Sequence, residues 1–308
     1  MMIHDERTRP EPATRIVDLG GVRLHLLDWG GNGDAVLFLP GMGQSAHLFR
    51  LLAPGLGDGF RAVALTPRAH GESDAPEDGY TLDAFAADVA GAMDALGVAR
   101  AAVVAHSLGG AVATRLAADF PERVSAIVYL DSVTDYRGIG HIQYRNPARP
   151  PSPAPGADDA AEREWHRRHV YGTWDEAVEA DWRARPADPA ERAHRRELLA
   201  ALVDSAVHSR EPFPALRCPA LALMAAESVD TQFPWLAAGD PRREAAEAFL
   251  RTTRGPWRRK SLERFLREAP RGRAGEVPGN HFFFLTARER TAAEIRRFLL
   301  STRSDRDR

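Results

Sequence analysis

The sequence predicts an α/β protein built on a mostly parallel sheet, and three observations carry that expectation. Largely apolar runs at residues 35–39, 60–65, 103–105, 124–130 and 218–225, the first of them continuously apolar, have the composition of buried strands. Helical patterns alternate with them, the order that winds a parallel sheet through right-handed crossovers. Several runs end in glycine-containing or polar turns, where open α/β sheets build their sites.

Composition sets the outer limits. The chain has 308 residues, 44% hydrophobic and 27% charged, which suits a soluble globular protein with room for one large α/β domain or two small ones. Forty-one basic residues stand against 43 acidic ones, so no polyelectrolyte attraction to nucleic acid or to an anionic membrane surface is expected. The lone cysteine, Cys218, excludes an internal disulfide and a cysteine-rich metal site, and suits a reducing cytoplasm. Residues 1–15 hold Asp5, Glu6, Pro10 and Pro12 and no apolar run, so they read as a loose tail rather than a signal peptide or membrane span. Residues 301–308 read as a second flexible tail.

Residues 15–19 and 22–29 read as a hairpin joined by Gly20-Gly21, and so as the antiparallel edge of the sheet. The buried run 35–39 stops at Pro40-Gly41-Met42-Gly43, a turn that exposes backbone N–H groups, before a helix expected around residues 47–52. Strand 60–65 leads into Arg68-Ala69-His70-Gly71-Glu72-Ser73-Asp74, a polar loop whose side chains read as structural. Leu82, Phe85, Val89, Met93 and Leu96 then recur at three- and four-residue steps, which marks an amphipathic helix capped by Thr81 and stopped by Gly97. In Val103-Val104-Ala105-His106-Ser107-Leu108-Gly109-Gly110, the small residues Ala105 and Gly109 flank Ser107 two positions either way. That spacing allows a sharp strand-to-helix turn that lifts the Ser107 hydroxyl toward a substrate. The following helix reaches about residue 120, and strand 124–130 ends at Asp131.

Between residues 132 and 214 the alternation breaks. The run Asn146-Pro147-Ala148-Arg149-Pro150-Pro151-Ser152-Pro153-Ala154-Pro155 cannot be helix or central strand and reads as an extended connector. Helices expected at 158–171, 173–183 and 189–208 carry Trp165, Trp174 and Trp182, and form an insertion that at the carboxyl edge of the strands would lie over a site. His166 and His169 sit one helical step apart, but no third ligand is placed by spacing and Arg167 and Arg168 lie between them. The pair reads as charged helix surface, and neither a metal nor a cofactor is expected. The sheet resumes at 218–225, followed by Glu227 and Asp230. Residues 242–273 read as charged, mostly helical chain that buries Phe249, Leu262, Phe265 and Leu266. Gly279-Asn280-His281 follows a short strand, and a last helix is expected over 291–300.

In this order, the glycine turn, the Ser107 elbow, an acidic residue, a helical insertion and Gly279-Asn280-His281 resemble the α/β-hydrolase superfamily over roughly residues 16–300. The resemblance implies a mostly parallel eight-stranded sheet flanked by helices, with a core of residues 16–134 and 213–300 and a helical cap of 135–212. Three positions depart from the family pattern: Ala105 replaces the first elbow glycine, Pro40 stands where histidine is commonest, and Ala69 stands where glycine is usual.

The resemblance also assigns roles. Ser107 becomes the nucleophile and His281 the base that takes its proton and returns it to the leaving group. The backbone N–H groups of Met42 and Leu108 become the oxyanion donors. The acid behind His281 is taken as Asp131, the position used by some family members, with Glu227 and Asp230 as alternatives beyond the next strand. A serine at the elbow argues against dehalogenase and epoxide-hydrolase chemistry, which need a carboxylate nucleophile there. The expectation is therefore hydrolysis of an ester, thioester or lactone of a hydrophobic small molecule, without nucleic acid or membrane partners. Acyl transfer or cyclisation on the same triad and a non-catalytic, receptor-like homologue are the alternatives; the oligomeric state stays open.

Overall fold

The computed structural model of the chain describes residues 11–150 and 158–304. Eight strands, β1 (Ala13–Asp18), β2 (Arg23–Asp28), β3 (Asp34–Leu39), β4 (Phe60–Leu65), β5 (Ala101–His106), β6 (Val124–Leu130), β7 (Ala220–Ala226) and β8 (Gly272–Pro278), form one sheet. Their order is β1-β2-β4-β3-β5-β6-β7-β8, with β1, β2 and β4 paired antiparallel and every later neighbour parallel. The expected hairpin edge and buried parallel centre are both present.

Successive strand residues face opposite sides, and that alternation divides the core. Leu37, Leu39 and Val103 pack on one face with Phe85, Val89 and Met93 of α1 (Leu82–Ala95) and Leu116 of α2 (Leu108–Asp119). Val36, Phe38 and Val104 pack on the other face with Phe49, Phe284 and Phe298. Thr81 caps α1 by accepting from Ala84 N at 3.2 Å, and Gly97 closes it at φ +66°.

Between β6 and β7 the chain forms α3 (Ile139–Tyr144), α4 (Asp159–His166), a π-helical turn (Arg167–Tyr171), α5 (Glu176–Arg183) and α6 (Pro189–His208). Asp181 of α5 is buried and accepts from Ser45 N at 2.6 Å and Ser45 Oγ at 2.7 Å, so this insertion is fastened directly to the loop after β3. Helix α3 was not expected from the sequence. Of the proline-rich connector, Ala148 donates to Asn146 Oδ1 at 3.0 Å, while residues 151–157 lie outside the described chain. After β7 come α7 (Val229–Gln232), α8 (Arg243–Phe249), a second π-helical turn (Leu250–Arg254) and α9 (Gly255–Glu268). After β8 come α10 (Phe283–Thr286) and α11 (Arg288–Ser304).

Three expected boundaries need correction. The sheet starts at Ala13, not residue 16, because Ala13, Thr14 and Arg15 pair with Asp28, Leu27 and Leu26, and Arg15 Nε lies 3.0 Å from Asp28 Oδ2. The last helix starts at Arg288 and continues to Ser304, so part of the expected tail is helix: Thr302 is buried and Arg303 Nε reaches Asp34 Oδ2 at 2.7 Å. The helix expected at 47–52 is two short 3-10 turns, Ala46–Phe49 and Ala53–Leu56, in a stretch broken by Pro54 and by Gly57 at φ +67°. Ala69, where glycine was usual, keeps the left-handed backbone at φ +59°. Among the described residues no helix is long and apolar enough to cross a membrane.

Candidate active site

Ser107 joins β5 to α2 with φ +50° and ψ −126°, a conformation that L-residues avoid and that projects the side chain off the strand end. Its small neighbours are required by contact. A Cβ at Gly109 would meet Pro40 O at 2.5 Å, and one at Gly110 would meet Ser132 Oγ at 1.8 Å. A Cβ at Gly41 would lie 2.8 Å from Ser107 Cβ, so the turn after β3 packs against the serine. That turn is closed by Gln44 N–H donating to Gly41 O at 3.3 Å and carries Met42 to a cavity that Ser107 also lines. Leu108, first in α2, has a backbone N–H with no intrahelical acceptor.

Across this turn, His281 Nδ1 lies 2.8 Å from Asp131 Oδ2. Asp131 follows β6 in a left-handed conformation, φ +49°, and is buried. Ala225 N donates to its Oδ1 at 3.0 Å, and Arg258 of α9 donates from Nη2 to Oδ1 at 2.7 Å and from Nη1 to Oδ2 at 3.1 Å. Burial alone would raise this carboxyl, but the Arg258 charge and the hydrogen bond from His281 outweigh it and hold Asp131 well below the usual carboxylate range. The His281 ring is backed by His106, 4.5 Å between centroids, whose Nε2 donates to the His281 carbonyl at 3.0 Å. Burial keeps His106 neutral by pushing it well below the ordinary histidine value.

The other two acids expected near His281 point elsewhere. Glu227 Oε1 accepts from Arg254 Nε at 2.6 Å and lies 3.1 Å from Arg258 Nη1, while exposed Asp230 pairs with Arg243 at 2.6 Å. Both line a separate groove of about 630 Å³. Ser107, His281, Asp131, Met42 and Leu108 instead share a cavity of about 450 Å³. Its far walls include Ile139, Ile142 and Val170 from the insertion and Trp257 from α9.

Tyr136 escaped the sequence reading. It is buried in this cavity, and its phenol is raised by burial, an effect that hydrogen bonding with the Ser107 side chain partly offsets. Neither spacing nor flanking residues mark it. His169 also differs from expectation. Rather than charged surface, it is a half-buried wall of the cavity, with Trp165 and Trp235 ring centroids at 5.0 and 5.2 Å and Nδ1 donating to Trp165 O at 2.9 Å. His166 packs against Trp182 at 4.9 Å. The loop after β4 is held by an internal bond from Ala69 N to Asp74 O at 2.8 Å and is tied to its neighbours, Arg68 to Asp88 of α1 through two 2.7 Å bonds and Asp74 to Arg23 of β2.

One group among the described residues, His25, His47 and Glu72, brings three potential metal-ligand atoms within 4.8 Å of one another. These atoms are engaged already: His47 Nε2 lies 2.7 Å from Glu72 Oε1, and His25 Nδ1 lies 2.8 Å from Thr66 Oγ1.

A family model for the alpha/beta hydrolase fold matches residues 34–171, from the first parallel strand through the serine turn and into the insertion. That match and the eight-stranded, mostly parallel sheet support membership of the α/β-hydrolase superfamily. Several proteins to which the chain is similar are hydrolases by name. The 2-(acetamidomethylene)succinate hydrolase of Mesorhizobium japonicum is 36% identical over 118 residues, covering 38% of this chain and 42% of that protein. The N-formylmaleamate deformylase of Pseudomonas putida is 29% identical over 220 residues, covering 68% of this chain and 76% of that one. The match to the first of these spans less than half of the relative's length. The solved structure of E-2-(acetamidomethylene)succinate hydrolase superposes with a TM-score of 0.68 over 94% of this chain and 99% of the other at 22% identity, a likeness of fold.

Proposed function

We propose that this α/β hydrolase is a serine hydrolase that cleaves an ester, thioester or lactone of a small molecule with a hydrophobic part, through an acyl-enzyme on Ser107. The observation that carries the reading is the 2.8 Å pairing of His281 Nδ1 with buried, ionised Asp131 in the cavity that holds Ser107 on its strained turn. Because Asp131 takes the proton-bearing Nδ1 side, His281 Nε2 is left to accept the Ser107 proton as Oγ attacks the acyl carbon. Negative charge then builds on the former carbonyl oxygen, facing the backbone N–H groups of Met42 and Leu108. As the tetrahedral intermediate collapses, His281 returns the proton to the departing alcohol or thiol. Water deprotonated by the same imidazole releases the acid and restores Ser107.

The helical insertion acts as a cap that supplies the cavity's apolar wall. The names of two relatives, a hydrolase of 2-(acetamidomethylene)succinate and a deformylase of N-formylmaleamate, support hydrolysis at an acyl carbon. The fluoroacetate dehalogenase and epoxide hydrolase names among other relatives fit less well, since Ser107 stands where those chemistries need a carboxylate. The net charge near zero and buried Cys218 suit a cytoplasmic enzyme for a free small molecule.

A fluorophosphonate probe tests the reading. It should label Ser107 stoichiometrically in folded protein and leave Ser107→Ala unlabelled. Absence of labelling in a folded protein that still binds a cavity ligand would overturn it.

A further inference from the structure

The turn that carries Met42 is held from the insertion as well as from the sheet. Ser45 follows Gly41-Met42-Gly43-Gln44 and stands at the start of the 3-10 turn Ala46–Phe49, yet its hydroxyl makes no cap bond there. Both of its donors go instead to one atom of the insertion: Ser45 N and Ser45 Oγ donate to Asp181 Oδ1 of α5 at 2.6 and 2.7 Å, with both residues buried. On the core side, Ala46 N donates to Thr66 Oγ1 at 3.0 Å, and Gly41 N to Gln44 Oε1 at 3.0 Å.

Fastening two surfaces does not call for a buried charge. The hydrogen-bond donors to Asp181 among the described residues are neutral: Ser45, and the Tyr171 hydroxyl, which reaches Oδ2 at 3.3 Å. The Arg185 guanidinium bonds that phenol, at 3.3 Å, rather than the carboxylate. Burial accordingly raises the Asp181 carboxyl, against the bonds from Ser45. A buried carboxylate met by neutral donors adds little net stability, whereas two short bonds converging on one of its oxygens fix a position.

We propose that Asp181 is a positioning residue: by clamping Ser45 it fixes the turn that presents the Met42 N–H to the Ser107 centre, so that the cap sets the oxyanion hole as well as walling the cavity. Only Gly43 and Gln44 separate Ser45 from Met42, inside a turn that Gln44 N closes on Gly41 O. A shift at Ser45 is therefore passed to Met42. The inference rests on the serine-hydrolase reading, in which the Met42 N–H stabilises the tetrahedral oxyanion.

The test uses p-nitrophenyl butyrate as substrate and propylboronic acid as an analogue of its tetrahedral intermediate. Ser107 Oγ bonds to boron as its proton passes to His281, and the adduct sets an oxygen where the oxyanion forms. Asp181→Ala should lower kcat about 10- to 100-fold and change KM less than about threefold, the scale of moving a reacting group by about 1 Å. Affinity for propylboronic acid should fall in parallel. Asp181→Asn should restore most of both, because an amide oxygen still accepts from Ser45 while its NH2 donates to the Tyr171 oxygen. Ser45→Ala, which removes only the hydroxyl bond, should show a smaller loss in the same direction and decides the matter if Asp181→Ala does not fold. Asp159→Ala breaks the 2.7 Å bond from Trp182 Nε1 of the same helix without touching Ser45, and should leave kcat and boronic acid affinity unchanged. Unchanged kcat in folded Asp181→Ala, a loss confined to KM, an Asp181→Asn variant as poor as Asp181→Ala, or an equal loss in Asp159→Ala overturns the clamp. Wild-type protein that neither turns over the ester, binds propylboronic acid nor takes a fluorophosphonate label removes the serine-hydrolase reading and the clamp with it. An active wild type with insensitive variants removes the clamp alone.

Discussion

Replacing Asp131 by asparagine changes one oxygen to an NH2 group and nothing in shape, yet neither orientation of the amide fits. Oδ1 accepts from Ala225 N and Arg258 Nη2, and Oδ2 from His281 Nδ1 and Arg258 Nη1, so the new NH2 meets a donor wherever it is placed. If the amide oxygen keeps the Oδ1 partners, the NH2 faces His281 Nδ1 and holds the imidazole in the tautomer whose Nε2 carries a proton. That nitrogen then cannot take the proton of Ser107. The triad aspartate of a well-studied protease loses about 10⁴-fold in kcat on the same change, and a comparable loss here equals about 5 kcal/mol in the barrier. The fold should suffer too, because Arg258 stays buried opposite an amide, and breaking a buried ion pair costs about 3–5 kcal/mol. Single-turnover release of p-nitrophenol from an activated ester should therefore be measured at a temperature where circular dichroism reports folded protein. Turnover within tenfold of wild type in Asp131→Asn, with a loss of orders of magnitude in Glu227→Gln or Asp230→Asn, would refute the reasoning. The ion pair also has a pH signature. Since the folded carboxyl is held well below its unfolded value, its stabilisation is present above about pH 4 and is lost as pH falls through the folded value, a loss that Asp131→Asn should not show.

Two further outcomes concern the frame around the site. Burial, against an opposing hydrogen bond to Arg68 O, lowers His70 to about 4, so the unfolded chain binds the extra proton between about pH 6.5 and that value. Unfolding free energy from urea titrations should then fall by about 1.4 kcal/mol per pH unit across this window, and an unchanged slope in a His70→Phe variant would remove the explanation. Gly110→Ala drives a methyl to 1.8 Å from Ser132 Oγ at the base of the serine turn. Thermal unfolding should show a loss of about 1–3 kcal/mol or more, and wild-type stability would contradict the close approach.

Much of the frame was legible because local rules and tertiary packing agree there. Apolar spacing and the Thr81 cap locate α1, and small residues around Ser107 announce a turn that only they can make. The carboxylate behind His281 was harder, since β6 and β7 are neighbours and Asp131 and Glu227 leave the same edge of the sheet; chain distance does not rank them, but the left-handed turn at Asp131 does. Tyr136 and Arg254 carried no signal. Tyr136 becomes significant only where the insertion folds back over Ser107, and Arg254 lies in a run of arginines whose periodicity suits solvent as well as a cavity. His169 was misread for the related reason that one helical turn was π-type, which rotates its side chains away from α-helical spacing.

Arg258 reaches the carboxylates at the ends of two adjacent strands, Asp131 after β6 and Glu227 after β7. The counter-charge thus belongs to a helix that addresses both strand ends, and the negative charge it neutralises has two possible homes. Losing either carboxylate would still leave Arg258 one anionic partner, so its buried charge would not be stranded. One buried arginine thus ties the ends of β6 and β7 together by charge, where the backbone pairing between them has already stopped.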